Sequence, residues 1–168
     1  MISVVLVEPE IPQNAGNIIR TCAATGCKLY LVKPLGFLLD DKHFKRAGLD
    51  YFDLANVEVV DSFEDVYEKN KDKTFYFAST KSKHTYTEVN YPEDCFIVFG
   101  KESFGLRESL LKKHYETCIR IPMIGNARSL NLSNSVAIIL YEMLRQQEYY
   151  GLASDENIKG TTWLEDNF

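Results

Sequence analysis

Ile2-Ser3-Val4-Val5-Leu6-Val7, then Glu8-Pro9-Glu10-Ile11-Pro12-Gln13, then a helical pattern from Asn14 to Ala24, is the stretch on which the fold turns. A short, almost continuous apolar run ending at a proline-punctuated loop reads as a strand buried on both faces. Five further runs repeat the signal, at Lys28 to Val32, Val57 to Val60, Thr74 to Ala78, Cys95 to Phe99 and Thr117 to Ile121. Between several of them lie helical patterns, at Ser62 to Lys69, where Ser62 and Asp65 form a start signal, and at Leu106 to His114. The alternation predicts an α/β fold, a mostly parallel six-stranded sheet with helices on both faces.

Outward from these units, the polar loop Gly125 to Asn131 leads into a long helix expected to end near Tyr150-Gly151. Leu132, Val136, Leu140, Met143 and Leu144 recur at helical spacing, but Val136 to Tyr141 is apolar around the whole cylinder. That implies burial on two sides, one against the core and one against a second subunit. The reading is a single domain over residues 1–152 and a polar, acidic tail, 153–168, holding an isolated Trp163-Leu164. A chain of 168 residues suits one domain able to bury roughly 70% of its unfolded surface. Its 45% hydrophobic and 26% charged residues place it among soluble globular proteins. The first apolar run has no basic flank and is too short for a signal peptide or a membrane span, so a cytoplasmic protein without membrane contacts is expected.

Four cysteines, at 22, 27, 95 and 118, form no C-x-x-C pair, and the histidines at 43, 84 and 114 stand far apart, so no metal site is readable. The cysteines read as buried, reduced packing residues. A net charge of −5 argues against indiscriminate nucleic-acid binding, which rests on phosphate neutralisation. Local basic clusters remain at Lys42 to Arg46, Lys81 to His84 and Lys112 to His114, as a patch for nucleic acid or simply as solvated faces.

Ligands of parallel sheets bind beyond the carboxyl ends of the strands, and three loops there are unusual. Glu8 to Arg20 offers a close backbone approach at Gly16, polar groups at Asn14 and Asn17, and the cation Arg20; alternatively Asn14 is only a helix N-cap. Phe99-Gly100-Lys101-Glu102-Ser103-Phe104-Gly105-Leu106 has the glycine spacing of a phosphate loop but Leu106-Arg107 where Lys-Ser/Thr is required. With no G-x-G-x-x-G in the chain either, its glycines suit backbone recognition of a flat, uncharged group such as adenine, or merely a turn. Ile121 to Asn134 is the third. Ser129 or Asn131 can cap the following helix, yet three Asn and three Ser between Asn126 and Ser135 exceed what one cap requires.

Together the loops resemble the SPOUT superfamily of knotted RNA methyltransferases. N-x-G-N-x-x-R stands as Asn14 to Arg20, F-G-x-E-x-x-G-L as Phe99 to Leu106, and I-P-M with S-L-N-L-S-N as Ile121 to Met123 and Ser129 to Asn134. The opening V-E-P-E-I-P-Q-N and the R-A-G-L-D-Y at Arg46 to Tyr51 are similar to the minimal tRNA (cytidine/uridine-34)-2′-O-methyltransferase branch. The resemblance covers residues 1 to about 150 and implies a C-terminal trefoil knot, which topology rules alone would reject. It further implies S-adenosylmethionine as methyl donor, with S-adenosylhomocysteine as product, held at Ala78, Gly100, Ile121 and Ser129. Arg20, Glu102, Ser129 and Asn131 fall at the family's catalytic or substrate-orienting positions. The implied partners are the anticodon stem-loop of tRNA, of tRNA-Leu species in this branch, and a second copy of the chain.

Methyl transfer from a sulfonium to a ribose hydroxyl is an in-line displacement that needs alignment and loss of a proton, and no metal. Arg20 stays protonated, so its expected work is binding phosphate and stabilising alkoxide charge, while Ser129 and Asn131 orient the reacting groups. Glu102 is either the base or a clamp on a loop amide. The alternatives are a non-catalytic RNA-binding or nucleotide-sensing module, or a 2′-O-methyltransferase acting at another RNA position. A hydrolase or dehydrogenase is disfavoured by the missing nucleophile elbow and glycine fingerprint.

Overall fold

In a computed structural model, residues 1–39 and 54–167 are described. The basic cluster at 42–46 and the R-A-G-L-D-Y stretch lie outside them. Among the described residues, seven strands form one sheet: β1 (Ile2–Val7), β2 (Lys28–Val32), β3 (Asn56–Val60), β4 (Thr74–Ala78), β5 (His84–Thr85), β6 (Cys95–Phe99) and β7 (Cys118–Arg120). Their order is β3-β2-β1-β6-β4-β7-β5, and every pair is parallel. The six expected strands are all present, so the expectation of six is corrected by one. The addition, β5, is two residues long and pairs His84 with Ile119 and Thr85 with Arg120 at the sheet edge. A polar dipeptide carries no apolar run, so periodicity could not reveal it.

Alternate residues of the central strands feed two cores, as a sheet covered on both faces requires. Val4, Leu6, Leu29, Leu31, Ile97 and Phe99 pack under α1 (Pro12–Thr25) and a long helix later in the chain. Val5, Tyr30, Val32, Phe75, Phe77, Phe96 and Val98 pack under α2 (Phe63–Lys69) and α3 (Glu108–Lys113). A single-turn 3-10 helix, Tyr115–Thr117, leads into β7. The long helix is α4 (Leu132–Gln146), and a last short helix, α5, spans Trp163–Asn167 in the tail. α4 stops four residues short of the expected Tyr150, because Glu148 and Tyr149 adopt φ of 54° and 53°, a left-handed conformation no helix continues through.

α2 starts as the sequence indicates. The Ser62 hydroxyl accepts from the Asp65 amide at 3.1 Å and the Asp65 carboxylate accepts from the Ser62 amide at 3.1 Å, a reciprocal capping box. α1 does not. Its N-cap is Ile11, which has no capping side chain, and Pro12 fills the first helical turn, so Asn14 is not the cap. All four cysteines are buried and none is in a disulfide. Burial raises their thiol pKa values, that of Cys95 to about 12. Among the described residues, no helix is long and apolar enough to cross a membrane.

Candidate active site

The sheet order reverses beside β1, whose neighbours are β2 and β6, and the loops leaving β1 and β6 meet at that reversal. Three acidic side chains stitch them together. Glu8 accepts from Lys101 Nζ at 2.9 Å and Arg107 Nη2 at 3.0 Å. The Lys101 hydrogen bond, ahead of the Arg107 charge, holds the Glu8 carboxyl below its usual range. Glu8 has φ of 53°, a sparsely populated backbone state that these contacts hold in place. Glu10 accepts from both the amide and the hydroxyl of Ser103, each at 2.9 Å, and its pKa is lowered by the same bonds.

Glu102 makes the reverse connection. One carboxylate oxygen accepts from the Glu10 amide at 2.8 Å, and the other accepts from the Ile11 amide at 3.2 Å and from Asn14 Nδ2 at 2.9 Å. A carboxylate therefore sits at the uncapped start of α1, where free amides and the helix dipole favour negative charge. The cap missing from the α1 sequence is supplied by a residue 91 positions away.

Asn14 passes the connection on. Its side chain, 5% exposed, accepts through Oδ1 from Asn131 Nδ2 at 2.9 Å. Asn131 is the N-cap of α4, its Oδ1 accepting from the Ser133 amide at 2.9 Å and the Ser133 hydroxyl at 2.7 Å. A carboxylate accepts only, so it fixes which end of the Asn14 amide faces it; that fixes Asn131 in turn. One chain of hydrogen bonds thus runs Glu102–Asn14–Asn131 through all three loops.

This chain borders a cleft of about 640 Å³ at the carboxyl ends of β4, β6 and β7. Six of the seven residues singled out in the sequence line it: Ala78, Gly100, Glu102, Ile121, Ser129 and Asn131. Arg20 does not; it lies on an exposed part of α1, outside the lining. Gly100 is packed so closely against the backbone of Gly105 and Leu106 that a Cβ there would overlap both. Gly105 turns back at φ of 76° and its amide donates to the Lys101 carbonyl at 2.7 Å. The two glycines therefore make one tight cradle wall rather than a phosphate loop. Sequence reading noted Asn14 as a donor and acceptor but did not place it in the site, and it missed Glu8 and Glu10. Two acids flanking a proline directly after a strand were the available signal. Among the described residues, no group of three His, Cys, Asp or Glu is placed to hold a metal ion.

A parallel sheet whose end-loops enclose such a cleft defines a ligand-binding α/β enzyme scaffold. Residues 1–141 match the SpoU rRNA Methylase family, and the chain belongs to that family. A Methylovorus glucosotrophus protein named tRNA (cytidine(34)-2'-O)-methyltransferase is 45% identical over 152 residues, 90% of this chain and 99% of that one. A Listeria monocytogenes protein, provisionally named for the same activity, is 49% identical over 157 residues, 92% of this chain and 93% of its own. Among solved structures, one described as "Structural insights into the 2-OH methylation of C/U34 on tRNA" superposes with a TM-score of 0.82 at 42% identity, covering 88% of this chain and 97% of that one.

Proposed function

We propose that this protein transfers a methyl group from S-adenosylmethionine to the ribose 2′-hydroxyl of nucleotide 34 of tRNA, releasing S-adenosylhomocysteine. The observation that carries the reading is the Glu102–Asn14–Asn131 chain, which ties three sequence-distant loops into one wall of the cleft. The names of relatives at 45–49% identity support the reaction and the position.

The cleft fits the donor. Its volume lies within the range of small-molecule sites, and its lining mixes apolar Ile121, Leu132 and Ile139 with the loop from Gly100 to Gly105. Ala78, Gly100 and Ile121 would hold the nucleoside end and Ser129 the methionine end. The bound donor supplies an electrophilic methyl group on a sulfonium. Asn131, oriented by Asn14, positions the ribose hydroxyl in line with it. Glu102, with both oxygens engaged by the loop after β1, acts as the anchor of that orientation.

Arg20 completes the site from a second copy of the chain, binding a phosphate and, as the hydroxyl proton passes to solvent water, stabilising the developing alkoxide as a fixed cation. Support comes from α4, where Ile138 is 37% and Tyr141 47% exposed although they belong to an all-apolar stretch. α4 packs against α1, the helix that carries Arg20. The trefoil knot belongs to the same proposal. After β7, near one edge, the chain returns across β4 so that α4 packs on β6 and α1. Pulling the unfolded chain from both ends would then leave it shorter than its contour length; full extension would dismiss the knot.

The deciding experiment incubates purified protein with isotopically labelled S-adenosylmethionine and tRNA transcripts, tRNA-Leu species first, and maps the label by nucleoside mass spectrometry. Label in 2′-O-methylated nucleotide 34 is expected. Label elsewhere in the RNA would reassign the position, and none at all would leave a binding module.

A further inference from the structure

Two exposed rings, each with a lysine beside it, stand at the cleft and next to it, Phe104 and Lys81 in its lining and Tyr115 and Lys83 outside it. Phe104, in the loop after β6, is 61% exposed, and Tyr115, in the turn before β7, is 42% exposed. Lys81 Nζ stands 5.8 Å from the centre of the Phe104 ring, and Lys83 Nζ stands 5.7 Å from that of Tyr115. Both lysines come from the short loop after β4. Beside them lies a second hollow of about 260 Å³, lined by Ser82, Lys112 and Tyr115 among others. It shares Ser79 and Lys81 with the cleft, so the two adjoin.

Acids temper the charge here. Glu108 pairs with Lys81 at 2.8 Å, and Glu116 lies near Lys83. The surface is therefore not a broad cationic field that would attract any polyanion. Its distinctive chemistry is an exposed ring with an ammonium close to it, twice. A nucleotide matches that unit, its base stacking on the ring and its phosphate meeting the lysine. Bases within a duplex have no free faces, so the matching partner is single-stranded RNA with bases splayed apart.

We infer that Phe104 and Tyr115, with Lys81 and Lys83, form a stacking platform for the unpaired nucleotides flanking the one whose ribose enters the cleft. The inference rests on the proposed function, because it takes the cleft as the seat of the target nucleotide. It gives a chain of net charge −5 a way to grip an RNA loop by ring faces as much as by charge. An acidic peptide would engage the lysines alone.

The test uses an anticodon stem-loop RNA carrying 2-aminopurine on either side of position 34, whose fluorescence falls when it stacks. The wild-type protein should quench it. Phe104→Leu and Tyr115→Leu should each weaken RNA binding about tenfold and relieve the quenching on one side, while Phe104→Trp keeps it. Lys83→Gln should lower the salt slope of binding by about 0.7. Folded leucine variants with wild-type affinity and quenching would overturn the platform, whatever the methylation result. If a variant fails to fold, the wild-type protein still decides, since bound RNA that stays bright is not stacked. Quenching by a wild-type protein that does not methylate position 34 would support the platform while removing the proposed reaction.

Discussion

Both oxygens of Glu102 are engaged by the loop after β1, and this distinguishes positioning from proton transfer in a measurable way. Glu102→Gln turns an amide NH₂ toward groups that also donate, so turnover should fall about tenfold to a hundredfold, as mispaired part-buried donors imply. The pH–rate profile should keep its shape. Loss of its acidic limb would make Glu102 the base. Asn14→Ala should match that loss of turnover, because it cuts the same chain, and should cost about 1 kcal/mol of stability because it deletes both hydrogen bonds of a buried side chain. The pH dependence of stability follows from the carboxylates beside it. Glu8 and Glu10 are depressed below their ordinary value of 4.5, so the folded state binds fewer protons than the unfolded one. Their stabilisation is complete above that value and is lost as pH falls through the depressed ones. His114, stacked on Phe77 at 4.5 Å, has its pKa lowered from 6.5, first by burial and then by Lys113. It favours the folded state above about 6.5 and penalises it as pH falls further. Melting temperatures measured down through both regions should therefore decline in two stages, and His114→Phe should remove the upper one.

Among the elements, α2 offers the plainest energetic test: Ser62→Ala removes the capping box and should cost about 1 kcal/mol by denaturant unfolding, with activity intact. A loss within error would mean that packing of Phe63 and Val66 alone holds this helix. The strands show why much of the fold was legible. β1, β2, β4 and β6 match their apolar runs residue for residue, because a strand covered on both faces must be apolar throughout. β5 was not legible, since two polar edge residues are held by hydrogen bonds to β7 rather than by burial. The start of α1 misled for a related reason: its capping acceptor belongs to another loop, so no local pattern contains it. The site divides the same way. Six of the seven residues that the family resemblance implies line the cleft, whereas the Asn14 link is a tertiary contact invisible to spacing.

At the scale of the whole molecule, the exposed Ile138 and Tyr141 and the position of Arg20 outside its own cleft make assembly testable. Tyr141→Asp should convert a dimer into folded, inactive monomers in sedimentation experiments; a monomeric wild-type protein would rule the dimer out. Arg20→Ala and Asn131→Ala subunits, each inactive alone, should regain part of the activity when mixed, because one site per mixed dimer then carries neither lesion. A stable mixed dimer without recovery would place Arg20 and Asn131 in the same site. The register of the sheet has a consequence in time as well as in space. β1 pairs Ile2 with Cys95 and Leu6 with Phe99, so during synthesis β1 lacks one of its two neighbours until β6 has been made. At ribosomal speeds that wait is on the order of ten seconds. For that interval an apolar strand edge stands open on the nascent chain, so premature termination before residue 95 would release a fragment prone to aggregate.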